Sequence, residues 1–95
     1  PGNAPSIIEY LYETNAAILG WDLQEAGNMP YDYSARIPIH EVVIPHMGLP
    51  LLDNANFEEL SNMCRKYNRY EFLLVIAPLV VNGGTGSPVN PIAIF

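Results

Sequence analysis

The sequence has little cysteine, little positive charge and no long hydrophobic run. Its one cysteine, Cys64, cannot form an internal disulfide, so a disulfide-stapled fold is excluded. Four basic residues stand against ten acidic ones, which gives a net charge of −6. Because polyanion binding requires many Lys and Arg side chains, we expect neither nucleic acid nor an anionic membrane surface as a partner.

The longest apolar stretch, residues 72–81, is interrupted by Pro78. A membrane span needs about 20 apolar residues, so the sequence predicts no spanning segment. A single cysteine also fits a reducing compartment. We therefore expect a cytoplasmic protein.

The sequence is rich in apolar residues, which occur in short runs. Of its 95 residues, 49% are hydrophobic, and nine prolines and seven glycines divide them. A chain of this length buries only about 60–65% of the surface that its unfolded form exposes. We interpret residues 1–95 as one partial domain that needs apolar partner surface from elsewhere; a small self-sufficient domain is the alternative.

Short apolar runs alternate with helical patterns, which predicts an α/β fold with short helices packed on a mainly buried sheet. The expected helices are 7–14, 39–44 and one starting after Asn56; the expected strands are 16–21, 49–52, 70–77 and 92–95. Pro38 suits the first turn of the second helix, and Pro45 is expected to end or kink it.

The third helix carries an apolar stripe with i, i+3, i+4, i+7 spacing. Its members are Phe57, Leu60, Met63, Cys64 and Tyr67. Asn56 is expected to be the N-cap, with Glu59 three positions later. On this stripe Cys64 is expected to be a small core residue and not a nucleophile.

His40 and Asp53 are the candidate metal ligands. Each lies at the edge of a short apolar element, where side chains can converge on a site. An imidazole and a carboxylate suit Zn or Mn, although zinc usually takes three or four protein ligands. A helix-surface histidine and a turn aspartate are the alternative roles for the same two residues.

Weaker candidates surround this pair. His46 could be a second imidazole of the site or a loop residue, and Tyr31 and Tyr33 could line an aromatic pocket or cap the core. The glycine-rich NGGTGSP lacks the Lys of a phosphate-binding loop and is not followed by a helix, which excludes nucleotide binding. We expect a tight turn with several positive φ angles there, in which Gly84 and Thr85 could line a site.

Two stretches, HEVVIPHMGLPLLDNANFEEL and YEFLLVIAPLVVNGGTGSPVNPIAIF, together resemble the C-terminal part of the cyclase family of metal-dependent hydrolases. Kynurenine formamidase and isatin hydrolase belong to that family. The shared order is a His on a short helix, a Gly, an apolar strand ending in a carboxylate, a helix, an aliphatic strand reaching Ala-Pro-Leu, and a Gly-rich turn ending in Ser-Pro-Val. The resemblance covers more than half of the sequence.

The resemblance implies a swivelling β/β/α fold and homo-oligomers that hydrolyse amide, lactam or ester bonds of small substrates. His40 matches the family's C-terminal metal-binding His, and Asp53 matches its carboxylate, which is Glu in familiar members. The remaining ligands would come from an N-terminal motif, His-x-Gly-Thr-His-x-Asp-x-Pro-x-His, that this sequence lacks. Zn or Mn would then be bound only after the missing half or a companion chain joins.

Three hypotheses follow from these observations. The first is a C-terminal segment of such a hydrolase, inactive by itself. The second is a degenerate or split member that binds a ligand or partner without catalysis. The third is an independent α/β interaction domain whose motif match reflects sheet packing.

Overall fold

A computed structural model describes residues 6–25 and 37–95. These residues form a small mixed α/β structure with three helices and four short strands in two small sheets. The helices are α1 (Ser6–Glu13), α2 (Pro38–Met47) and α3 (Glu58–Tyr67); the strands are β1 (Leu19–Gly20), β2 (Leu51–Leu52), β3 (Leu73–Val75) and β4 (Ile92–Ile94). The chain divides into two compact units between Asn56 and Phe57.

The first unit is a parallel crossover, β1–α2–β2, preceded by α1. Leu19 pairs with Leu51 and Gly20 with Leu52 in parallel register. Parallel neighbours require such a crossover, and here a helix supplies it. The core of the unit consists of the buried residues Leu11, Trp21, Ile39, Val43 and Leu49. The crossover therefore brings the start of α2 close to the ends of both strands.

The backbone pairing continues beyond the strands on the carboxyl side. The Trp21 N–H donates to the carbonyl of Leu52 at 3.1 Å, and the Ala55 N–H donates to the carbonyl of Trp21 at 2.9 Å. Trp21 and Asp53 thus both lie just after their strands, at the same edge of the small parallel sheet. In open α/β sheets this is the edge where ligands bind.

Of the two outcomes expected at Pro45, an end or a kink of the helix, the end does not occur. Helix α2 passes through Pro45 and ends only at Met47. A proline costs a helix one backbone hydrogen bond and crowds the preceding turn. Here both the Gly48 and Leu49 N–H groups close the helix end, donating to Ile44 and Val43 at 3.1 and 3.0 Å. A turn closed in this way holds the helix beyond its proline.

Gly48 ends α2 in the left-handed region, with φ of 65°. An added Cβ would meet no atom within 4 Å, so the cost of a side chain here is backbone strain alone. We expect Gly48→Ala to lower the free energy of unfolding by about 1–2 kcal/mol. Gly86→Ala is the matched control, because Gly86 also has open space around it but no positive φ. Urea unfolding of both variants checks this, and an equal loss in both would contradict it.

The second unit contains α3 and the antiparallel pair β3–β4. Leu73 pairs with Ile94 and Val75 with Ile92. Helix α3 follows Phe57, its N-cap, where Asn56 was expected. The prediction that Cys64 is a small core residue is confirmed, since its side chain is buried.

The expectation of a mainly buried sheet is wrong for β3–β4. All three residues of β3 are exposed, and Leu73 exposes 63% of its surface. Two strands alone have no further strand or helix to cover both faces. The aliphatic sequence that predicts burial is present, but the described residues do not supply the surface that would bury it.

The glycine-rich turn has one positive φ among its glycines, at Gly83, where several were expected. The Gly84 N–H donates to the carbonyl of Val81 at 3.0 Å. The Leu79 N–H donates to the Ser87 hydroxyl at 3.1 Å and links the two sides of the segment. A single left-handed residue is enough to close a turn of this kind.

Candidate functional site

The imidazole of His40 lies between two carboxylates. Its Nδ1 is 3.0 Å from Oε2 of Glu25, and its Nε2 is 3.0 Å from Oδ2 of Asp53. The side chains of Glu25, His40 and Asp53 expose 3%, 20% and 30% of their surface. The site is therefore closed on the Glu25 side and open to solvent on the Asp53 side.

Helix α2 places His40 in its first turn, and Glu25 closes that turn. Pro38 at the first position has no N–H to satisfy. The next two N–H groups have no partner inside the helix. The Ile39 N–H donates to Oε1 of Glu25 at 2.9 Å, and the His40 N–H donates to Oε2 at 3.1 Å. Since Ile37 at the N-cap makes no side-chain bond, Glu25 acts as the cap from an earlier part of the chain.

Asp53 is held from its other side by Trp21. The indole Nε1–H donates to Oδ1 of Asp53. The Trp21 and His40 rings lie with their centroids 6.0 Å apart. One carboxylate oxygen is thus anchored, and Oδ2 faces His40.

The two carboxylates act on the protonation of His40. Burial by itself lowers the pKa of the imidazole, but hydrogen bonds to Glu25 and Asp53 and the negative charges of both outweigh it. The pKa of His40 is therefore raised above its ordinary value of 6.5. A protonated ring donates from both nitrogens and satisfies both contacts.

This raised pKa predicts a pH dependence of stability. A group whose pKa is higher in the folded state stabilises that state fully below its ordinary value, and the stabilisation disappears as the pH rises through the raised value. We expect the free energy of unfolding of the wild type to fall as the pH rises from about 6.5 through the raised pKa of His40, and to fall less in His40→Gln. Denaturant unfolding at a series of pH values measures this, with His46→Gln as the control. An identical pH profile in wild type and His40→Gln would contradict it.

The structure brings two of the predicted residues together. His40 and Asp53 meet through Nε2 and Oδ2. His46 is exposed in the last turn of α2, six residues further on, which is about 240° around a helix of 3.6 residues per turn. It does not join His40. Tyr31 and Tyr33 lie outside the described residues, and Gly84 and Thr85 are exposed in the second unit.

Sequence reasoning missed Glu25 and Trp21. Glu25 lies in a stretch with neither helical nor strand periodicity. The available signal was its position upstream of a helix that starts with Pro and has no polar residue at its N-cap. Trp21 was read as part of a buried strand, and its indole N–H, which needs a partner when buried, was the available signal.

The arrangement of His40 and Asp53 fits a pair of metal ligands. A metal ion at about 2.1 Å from each atom, with an angle of about 90–109° between them, holds the two atoms about 3.0–3.4 Å apart. The Nε2–Oδ2 distance is 3.0 Å. Within residues 6–25 and 37–95, however, no group of three or more His, Cys, Asp or Glu is placed to hold a metal. The pair is a fitting but incomplete ligand set.

Comparisons with protein-family models, with curated proteins and with solved structures each found no match. Among the described helices, none has the length and apolar character needed to cross a membrane. What the chain can do is therefore argued from its own residues.

Proposed function

We propose that this chain is the C-terminal segment of a cyclase-family metal-dependent hydrolase, with His40 and Asp53 as its share of the metal ligands. The substrate is a small molecule with a C–N bond, as in an amide, a lactam or an arylformamide, or with an ester bond. The observation that carries the proposal is the 3.0 Å approach of Nε2 to Oδ2 at the carboxyl edge of two parallel strands.

The short distance between Nε2 of His40 and Oδ2 of Asp53 requires a proton or a metal ion between the two atoms. Two lone pairs at 3.0 Å repel each other unless a proton or a metal ion lies between them. In the chain alone, the doubly protonated ring supplies that proton, whereas a ring protonated only on Nδ1 needs a cation or a water molecule between Nε2 and Asp53. Metal binding requires the neutral imidazole, so proton and metal compete for the same position.

A histidine that served as a general base would be arranged differently. It would be oriented by a carboxylate on one nitrogen and would leave the other nitrogen open to substrate. Glu25 fits the orienting role, but Asp53 occupies the place that a substrate proton would need. A second carboxylate beside Nε2 therefore favours a cation site over a general base.

Zn or Mn bound here would lower the pKa of its water and polarise the scissile carbonyl. Four residues of the chain would contribute to that chemistry. His40 and Asp53 would bind the metal, Glu25 orients His40, and Trp21 holds Asp53 and covers the site on one side.

The metal site has too few ligands, and the β3–β4 sheet is exposed. Both observations support a requirement for a further protein segment or chain. Zinc sites usually take three or four protein ligands, and the described residues bring two together. Leu73, Leu79 and Ile94 each expose more than half of their surface. Large exposed apolar side chains on a strand pair are typical of a surface that another protein covers. The proposed partner is the N-terminal half or a companion chain of the same hydrolase, in a homo-oligomer.

Native mass spectrometry of the purified protein, with Zn and Mn supplied, tests the proposal first. We expect a complex with a companion chain and bound metal, which should hydrolyse members of an amide, lactam and ester panel. A complex with a companion chain that stays metal-free after addition of either ion would overturn it.

A non-catalytic binding domain of the same origin is the second candidate. It is favoured by the finding that no three-ligand group exists among the described residues. It predicts stable complex formation without turnover of any panel substrate, and His40→Ala would then leave complex formation unchanged.

A further inference from the structure

We infer that Glu25 is the positioning residue of the site, holding His40 in the Nδ1–H tautomer so that the Nε2 lone pair is directed at the cation position beside Asp53. The cation part of this inference rests on the proposed function. The tautomer part rests on the geometry of the chain alone.

The contact between Glu25 and His40 has a defined direction. Both oxygens of Glu25 already accept backbone N–H groups, from Ile39 at 2.9 Å and from His40 at 3.1 Å. A carboxylate has no proton to donate, so Nδ1 is the donor in the 3.0 Å contact to Oε2. Oε2 therefore receives two N–H groups from the same residue, one from its backbone and one from its ring.

Burial favours Glu25 over Asp53 as the partner of a single ring proton. The Glu25 side chain exposes 3% of its surface and the Asp53 side chain 30%. Hydrogen bonds are electrostatically stronger where water is excluded, and an unpaired acceptor costs more there. Water or a cation can satisfy the more exposed Asp53. Glu25 already accepts two backbone N–H groups, and because it is closed to water, the His40 ring supplies its further donor. A neutral His40 therefore keeps its proton on Nδ1.

The ring orientation is fixed by the same carboxylate. Glu25 is bound to two successive N–H groups at the start of α2 and cannot rotate without breaking both. Since His40 lies in that same turn, the Glu25 carboxylate and the His40 ring are both held by the start of α2. Carboxylates that accept the second N–H of a metal-binding His act in this way in other metal sites.

The test uses the full chain labelled with ¹⁵N at histidine, at an alkaline pH where the rings are neutral. In the wild type, Nδ1 of His40 is expected to show a pyrrole-type shift and Nε2 a pyridine-type shift. In Glu25→Gln an amide NH₂ replaces one acceptor oxygen, and we expect the proton to move to Nε2, where Asp53 accepts it. Glu41→Gln is the matched control, since Glu41 is an exposed acid in the same first turn.

Zn and Mn affinities of the same wild-type and variant proteins, each assembled with its companion chain, provide the second readout. Loss of such a carboxylate partner typically costs 10–100-fold in metal affinity, and we expect a loss in that range for Glu25→Gln and no change for Glu41→Gln. A reversed tautomer with unchanged affinity overturns the positioning role. A pyridine-type Nδ1 in the wild type overturns the inference without any variant, even if Glu25→Gln fails to fold. An Nδ1–H tautomer in an assembled wild type that takes up no metal supports the tautomer assignment and overturns the proposed function instead.

Discussion

His40→Ala is expected to abolish metal uptake and hydrolysis in the assembled protein. The substitution removes one of the two ligands that this chain contributes and leaves the Glu25 and Asp53 carboxylates without the group between them. Loss of a partner that merely supports a ligand costs about 10–100-fold in affinity or activity, so loss of the ligand itself should exceed that. Metal content by elemental analysis and hydrolysis of the responsive panel substrate measure the effect.

His46→Ala is the control for that experiment. His46 lies on the same helix and is exposed, so its loss should change neither metal content nor rate. A second variant, Asp53→Asn, keeps the size of the side chain and its acceptor for the Trp21 indole while removing the charge. Full activity in His40→Ala would overturn the assignment of the site, and equal losses in His40→Ala and His46→Ala would point to a general effect on the helix.

Ile39→Ala is expected to cause the largest loss of stability among single changes in α2. Ile39 exposes 1% of its surface and belongs to the core of the first unit. Truncating a buried Ile to Ala leaves a cavity and costs about 2–5 kcal/mol. The position of the neighbouring His40 should change as well, because a shift at the start of α2 also moves the N–H groups that hold Glu25.

Ile44→Ala is the matched control, with the same residue type on the same helix but 47% of its surface exposed. Exposed substitutions usually change stability by no more than about 0.5 kcal/mol. Chemical unfolding of both variants in one denaturant series makes the comparison. Similar losses in both would mean that the first unit does not depend on the core described here.

Local rules predicted those parts of the molecule that local chemistry determines. Pro38 at the start of α2 is a conformational requirement that a sequence displays directly. Amphipathic spacing likewise predicted α1 and α3 to within a residue or two. An end at Pro45 was one of two expected outcomes, but the helix continues to Met47, where the Gly48 and Leu49 N–H groups close it.

The site was predictable only in part, because its contacts span the chain. His40 and Asp53 could be singled out as chemically suitable types at element edges, but that they meet depends on the crossover between β1 and β2. Glu25 reaches a helix that begins more than ten residues later, and no periodicity encodes such a contact. Burial of β3 was inferred from its aliphatic residues, although burial depends on a covering surface that the described residues do not supply.

Trp21 is the single tryptophan of the chain, and this gives the site a built-in fluorophore. Its indole donates to Asp53 and lies 6.0 Å from the His40 ring. Indole emission responds to charged groups and to hydrogen bonding at such distances, so a proton or a cation arriving between His40 and Asp53 changes the light that the protein emits. Occupancy of the site can thus be followed in solution, in real time and without a label.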